Sequence, residues 1–267
     1  MKREKKRRIW YTNKSTVIVF IVLRALIVLT AVLSFLRRDY ESAFIAIFTF
    51  FLLLLPSILS RSLHITLPST LEIILLCFIF AANILGEIDN FYVRVPHWDT
   101  VLHTLNGFCF AAIGFALVDM LNRSERVSLH LSPLFLAIVA FCFSMTIGVM
   151  WEFYEYTADR LLTLDMQKDT VIHEFNTVEL DKTRNNIAIP VTDITDVIIV
   201  HSDGSQQPLG LGGYLDVGIH DTMKDLLVNM VGAVVFSIIG YFYVKNEGKG
   251  KFAPRFIPRV DFPNEQA

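Results

Sequence analysis

Acidic side chains and one histidine recur near the ends of three long apolar segments. The first of these segments begins HWDTVLHTLNGF and places Asp99 four residues before His103. Residues four apart lie on one face of a helix, one turn from each other. A carboxylate and an imidazole at this spacing predict either a metal site or a pair that exchanges protons.

The next two apolar segments repeat this arrangement. SMTIGVMWEFYEYTAD carries Ser144, Gly148 and Glu152 at steps of four, and HDTMKDLLVNMVGAVVFS steps by four from Asp221. In both segments a polar stripe becomes a stripe of small residues, which in membranes marks contact between helices. The polar side chains are therefore predicted to point into a helix bundle.

Composition indicates where such a bundle lies. The chain has 267 residues, 53% of them hydrophobic, and the apolar residues fall in blocks of about twenty, the length that spans a bilayer. We predict six transmembrane helices, at about 16–36, 41–59, 70–86, 99–121, 132–157 and 221–244. The fold class is therefore an all-α membrane protein, a six-transmembrane helix bundle with a small β-containing extracytoplasmic insertion between helices 5 and 6.

The charge distribution predicts the orientation of these helices. MKREKKRR opens the chain, and we interpret this basic run as a cytoplasmic anchor of the first helix and not as a nucleic-acid-binding tail. Lys and Arg concentrate in the segments that lie inside if the N-terminus is inside. We predict an N-in, C-in topology, against which the pair Arg37 and Arg38 is the one exception.

The predicted organisation has three parts. They are a basic cytoplasmic N-terminus over 1–15, a six-helix transmembrane domain over 16–244 and a cytoplasmic tail over 245–267, with the tail from 246 expected to be disordered. The insertion covers 158–220. Within it, VTDITDVIIV (191–200) predicts a strand, Asp203-Gly204 a hairpin turn, and 207–218 a glycine-rich return loop. The three cysteines lie in apolar blocks, which predicts neither a disulfide nor a cysteine metal site.

With this topology all three polar helix ends reach the outer membrane face, where we predict an acidic pocket. Clustered carboxylates repel one another, and a divalent cation, for which we expect Zn, Mn or Mg, would relieve that repulsion. The catalytic candidates are His103, Glu152, Asp221 and Asp225. The metal-ligand candidates are Asp99, His103, Glu152, Glu155, Asp221 and Asp225. Asp99 and Asp221 have an alternative as helix N-caps, and Trp151 and Tyr154 are typical of the aromatic belt at a membrane interface.

Three stretches together resemble the YjdF-like family of bacterial inner-membrane proteins: WDTVLHTLNGF (98–108), WEFYEYTAD (151–159) and YLDVGIHDTMKDLLVNMVGA (214–233). A more distant resemblance is to the VanZ-like membrane proteins, which also carry a His, a Glu and an Asp on successive helices. The resemblance implies a location in the bacterial cytoplasmic membrane and a connection with the cell envelope, and it supplies no reaction.

Three functions are compatible with these sequence features. The first is a membrane-embedded, metal-dependent enzyme acting on a lipid or cell-envelope precursor at the outer leaflet. The second is a non-catalytic membrane scaffold or ligand sensor whose insertion is the binding part. The third is an ion-coupled transporter, which the apolar inner halves of the helices disfavour. The expected partners are the lipid bilayer and such a precursor.

Overall fold

The computed structural model describes residues 13–62, 65–122 and 131–260, so the basic run at the start of the chain lies outside the described residues. Contacts divide the chain into two compact units, residues 1–148 with 227–267 and residues 149–226. The helices are α1 (Lys14–Leu36), α2 (Tyr40–Leu52), α3 (Leu55–Ser62), α4 (Ser69–Phe80), α5 (Phe91–Arg94), α6 (Trp98–Asn122), α7 (Pro133–Leu162) and α8 (Ile219–Lys245).

Within the described residues, six helical stretches are long and apolar enough to cross a membrane, which confirms the predicted six-helix fold. They cover 14–36, 40–62, 69–88, 98–119, 133–162 and 219–245. Large apolar side chains remain exposed along them, for example Phe44, Phe153 and Leu227, which are 69%, 66% and 54% exposed. Apolar surface of this extent needs lipid around it, because soluble monomers rarely leave so much of it uncovered.

Local sequence sets the ends and interruptions of these helices. The side chains of Asn13 and Asp39 accept hydrogen bonds from the backbone amides of Ser15 and Ser42, which caps α1 and α2. The second span is broken into α2 and α3 at Leu53 and Leu54. The third span continues beyond α4 as a π-helical segment, Ala81–Ile88.

Two apolar clusters form the interior of the first unit. One joins α1, α2 and α4 through residues such as Ile27, Ala46 and Leu76. The other joins α4, α6, α7 and α8 through residues that include Phe115 and Phe236, both fully buried. The second cluster therefore holds together the three helices that carry the predicted site.

Regular structure follows α8 within residues 246–260, which contradicts the predicted disorder for that part of the tail; residues 261–267 lie outside the described residues. A 3₁₀ turn, Ala253–Arg255, is followed by β8 (Arg259–Val260), which pairs antiparallel with β1 (Ile65–Thr66). The Phe256 ring packs edge-on against Phe108, with 5.4 Å between ring centroids, and Ile257 is only 2% exposed. Phe256 and Ile257, which stand among basic residues, pack this segment against the helix bundle.

Removing one of these buried side chains should destabilise the bundle. Ile257→Ala leaves a cavity beside α4 and α6 and is expected to cost about 3 kcal/mol of unfolding free energy. Lys251→Ala is the control in the same segment, because Lys251 is exposed and its loss should change stability little. Thermal unfolding in detergent measures both, and equal midpoints for the two variants would contradict the ordered tail.

The second unit contains three antiparallel strand pairs. β2 (Val171–Ile172) pairs with β7 (Tyr214–Leu215), β3 (Phe175–Thr177) with β4 (Ile189–Val191), and β5 (Ile198–Val200) with β6 (Gln206–Pro208). The hairpin turn at Asp203-Gly204 is confirmed, with Gly204 at φ +82°. The prediction of a single strand over 191–200 is wrong, because residues 192–197 separate β4 from β5 and Asp193 adopts φ +57°.

Candidate functional site

The three stripes read from the sequence are buried in the structure. On α6 they comprise His103, Gly107 and Ala111, with Asp99 half-buried at the start of the helix. The corresponding buried residues on the other two helices are Ser144, Gly148, Glu152 and Glu155 on α7, and Asp221, Asp225, Asn229, Ala233 and Ser237 on α8. Polar groups are thereby withdrawn from lipid, where each would carry a large desolvation cost.

Two glycines bring α6 and α8 into backbone contact. A Cβ atom added to Gly107 would lie 2.0 Å from the carbonyl oxygen of Asn229. One added to Gly232 would lie 2.0 Å from the carbonyl oxygen of Thr104. Gly240 packs on the Phe115 ring, eight residues after Gly232 and Gly107 respectively, so the two helices run in the same direction from this contact. Such close approach requires residues without a side chain.

Asn229 is the polar centre of this junction. It is fully buried, and its Oδ1 accepts a hydrogen bond from Nδ2 of Asn106 at 3.0 Å. Helix α7 joins through Ser144, whose hydroxyl donates to the Gly107 carbonyl oxygen at 2.7 Å, and through Gly148, which packs on the Asn229 amide. These contacts fix the rotation of all three helices about their axes.

One predicted pair forms within the first unit. His103 Nε2 lies 3.5 Å from Asp99 Oδ1, one turn apart on α6, as the spacing predicts. His103 is only 7% exposed. This contact places a carboxylate beside a buried imidazole near the start of α6.

Several acidic residues of the second unit support the backbone. Asp159, at the end of α7, accepts hydrogen bonds from the amides of Met166 and Gln167. Asp221 accepts from the Lys168 amide and from Nζ of Lys224, both at 2.9 Å. The segment between α7 and β2 is therefore held by carboxylates from both helices, a role that an acidic cluster in the sequence does not distinguish from catalysis.

The remaining predicted residues are also buried in the second unit. Glu155 Oε1 accepts a hydrogen bond from Nε1 of Trp151 at 2.8 Å. Glu152 is 4% exposed, and Asp225 is 1% exposed with its Oδ1 3.6 Å from Nζ of Lys224. Glu152 and Asp225 are thus deeply buried carboxylates, whereas Glu155 and Asp221 also support neighbouring groups.

Sequence reasoning missed two residues of this region. Asn106 lies three residues after His103, on nearly the same helix face, and that spacing was the available signal. Asp216 accepts hydrogen bonds from the amides of Thr170, Gly218 and His220, and its Oδ2 lies 2.6 Å from Nδ1 of His220. An Asp just before a helix is a capping signal, and here it anchors β2 to the start of α8.

The hydrogen bonds at Asp216 make this anchor sensitive to acid. Burial opposes ionisation, but the hydrogen bonds from Thr170, His220 and Gly218 outweigh it, so the pKa of Asp216 is lowered. The stabilisation is complete above the pKa of the unfolded chain, about 3.9, and is lost as pH falls through the lower folded pKa. Hydrogen exchange at Thr170 and Gly218, corrected for intrinsic rates, should be slow at pH 6.

Asp216→Asn should abolish that protection already at pH 6. Asp203→Asn is the control, because Asp203 accepts hydrogen bonds only from Ser205 within its own exposed hairpin turn among the bonds described. Unchanged protection of Thr170 and Gly218 in Asp216→Asn would contradict the anchoring role.

The apolar spans and their buried polar stripes define the class: a multi-pass membrane protein. The chain belongs to the family described as predicted membrane protein (DUF2238), which matches residues 17–246. This family is consistent with the YjdF-like resemblance, while the VanZ-like resemblance stays a prediction.

One relative with a curated sequence is an uncharacterised protein of Thermotoga maritima. It is 26% identical over 107 residues, which cover 40% of this chain and 53% of the relative. The chain therefore spans about half the length of that relative. No solved structure matches the chain.

Proposed function

We propose that this protein is a metal-dependent enzyme of the bacterial cytoplasmic membrane that acts on a lipid or cell-envelope precursor. Asp99, His103 and Asp225 are the proposed ligands, each offering one ligand atom. The observation that carries the proposal is the buried imidazole of His103 beside the Asp99 carboxylate, on a helix that packs in parallel against α8.

Helix geometry supports the third ligand. Gly107 faces Asn229 across the α6–α8 contact. His103 lies one turn before Gly107, and Asp225 lies one turn before Asn229 on the unbroken helix α8. The choice of Asp225 rests on the sequence pattern, since it stands one step of four before Asn229 on the polar stripe of α8.

The donor set fits a divalent transition metal. One imidazole with two carboxylates suits Zn or Mn, and a ligand set with more carboxylate and water suits Mg. A bound metal supplies Lewis-acid polarisation of a phosphate or carbonyl oxygen. Asp99 is the proposed ligand beside His103 on α6, and Glu152, buried one turn beyond Gly148, is the proposed general acid or base. Asp221 accepts hydrogen bonds from the Lys168 amide and from Nζ of Lys224. Its proposed role is therefore to position the start of α8.

The surroundings of α7 favour a substrate carried by lipid. Trp151 and Tyr154 are 45% and 54% exposed, and their rings stack with centroids 5.3 Å apart. Glu152 lies between them in sequence and faces the opposite way, into the protein. A belt of aromatic residues at this level is typical of helices that meet the headgroup region. A lipid headgroup held there would therefore lie near Glu152 along α7.

Turnover of lipid phosphates and lipid pyrophosphates by the protein in proteoliposomes tests the proposal. Wild type should release phosphate with at least one such lipid, and a chelator should stop the reaction. Glu152→Gln should reduce turnover about 100-fold or more while metal stays bound. Glu174→Gln, on an exposed loop between β2 and β3, is the control. Activity that persists in Glu152→Gln would contradict the assigned role of that residue.

The scaffold or sensor alternative is favoured by a different observation. Asp159, Asp216 and Asp221 accept hydrogen bonds from backbone amides. These acidic residues of the second unit therefore stabilise the fold whether or not the protein is an enzyme. This alternative expects His103→Ala to leave the biological function intact and replacement of the 164–213 segment to abolish it. A growth or envelope-stress phenotype compared between the two variants separates the hypotheses.

A further inference from the structure

The loop between α8 and the returning tail is strongly basic. Lys245, Lys249, Lys251 and Arg255 are all exposed, and Glu247 is the one acidic residue between 245 and 255. Lys245, Asn246, Glu247, Lys249 and Gly250 line an open depression of about 580 Å³. The Glu247 carboxylate accepts from Nζ of Lys249 at 2.7 Å and so offsets part of this positive charge.

The position of the loop relative to the bilayer follows from its two ends. The spanning helix α8 ends at Lys245, where Glu247 at φ +54° and Gly248 at φ +74° turn the chain back. The chain rejoins the apolar cluster at Ala253, Phe256 and Ile257. A short loop whose two ends are fixed in the membrane bundle must lie at the membrane surface.

The side chains suit that surface. Phe252 is 63% exposed between Lys251 and the buried Ile257, so an apolar ring accompanies the basic groups. Lys and Arg at a membrane surface attract anionic headgroups, and aromatic rings favour the headgroup level. We propose that residues 245–255 form a binding site for the phosphate headgroups of anionic lipids. This site is independent of the proposed enzyme activity and lies at the opposite end of α8 from Asp225.

Native mass spectrometry of the full chain in mild detergent tests this site, with phosphatidylglycerol and phosphatidylcholine as probes. Wild type should retain phosphatidylglycerol in preference to phosphatidylcholine, and less so as salt increases. Lys249→Gln with Lys251→Gln should weaken phosphatidylglycerol binding about 10- to 30-fold, since each basic residue contributes about 1 kcal/mol at a surface. Glu247→Gln should strengthen it.

Two controls make the result specific. Lys182→Gln with Arg184→Gln removes the same charge from exposed positions in the insertion and should leave lipid binding unchanged. Lys249→Arg with Lys251→Arg keeps the charge and should keep the binding. Equal retention of the two lipids by wild type, or full retention by the double Gln variant, would overturn the site. Displacement of the lipid by inorganic phosphate at millimolar concentration would overturn its assignment to lipid.

Discussion

Gly232→Ala is expected to separate α6 from α8 and to destabilise the bundle severely. Its new methyl group would lie 2.0 Å from the Thr104 carbonyl oxygen and 2.8 Å from the Phe108 amide nitrogen, both of them backbone atoms. Backbone in a helix cannot yield locally, so the helices must move apart. We expect a loss of about 2–3 kcal/mol, or roughly 6–10 °C in thermal midpoint. Gly107→Ala should destabilise the bundle similarly, because its new methyl group would lie 2.0 Å from the Asn229 carbonyl oxygen.

Gly240→Ala is the matched control on the same helix. Its nearest neighbours, at 3.0 Å, are atoms of the Phe115 ring, which is a side chain that can shift. Gly240→Ala should therefore lower the midpoint less than Gly232→Ala. Thermal unfolding of the detergent-purified variants gives the comparison. Equal midpoints for Gly232→Ala and wild type would show that α6 and α8 do not meet through their backbones.

His103→Ala and Asp225→Asn are each expected to weaken divalent metal binding at least about 100-fold. A buried ligand contributes more than the supporting groups around it, whose loss alone costs about 10- to 100-fold in affinity. Asp99→Asn should weaken binding as well, because Asp99 is the third proposed ligand. Calorimetric titration of metal-free protein with Zn²⁺ and Mn²⁺ measures all three variants.

His220→Ala is the control for this series. His220 also pairs with an aspartate four residues away, but its side chain is 56% exposed and its partner is Asp216, which binds backbone amides. Its removal should leave metal affinity unchanged. Equal losses in His220→Ala and His103→Ala would mean that the metal binds nonspecifically to histidines.

The membrane helices and their buried stripes were predictable from the sequence. Apolar blocks about twenty residues long specify spanning helices, and the steps of four in Asp221, Asp225 and Asn229 specify one helix face. The pairing of Asp99 with His103 follows from the same rule. Periodicity within one helix states which side chains share a face. It placed Gly148 in the stripe of α7, but it did not identify Gly232, which makes a backbone contact with α6.

Other features depend on contacts between distant parts of the chain. The Lys168 amide donates to the Asp221 carboxylate 53 residues away, and no local sequence pattern predicts that pair. The 191–200 segment has strand composition, yet Asp196 accepts hydrogen bonds from the amides of Val197 and Gly210 and breaks the pattern. The tail was mispredicted because its basic residues and prolines suggested disorder, while Phe256 and Ile257 supply enough apolar surface to hold it in the bundle.

The metal content of the detergent-purified wild-type chain tests the central claim most directly. Inductively coupled plasma mass spectrometry, with protein quantified by amino-acid analysis, gives the metal identity and its ratio to protein. We expect about one divalent transition metal ion per chain after extensive dialysis and reconstitution with Zn²⁺ or Mn²⁺. Folded protein that retains no metal under these conditions would contradict the assignment of Asp99, His103 and Asp225 as a coordination site.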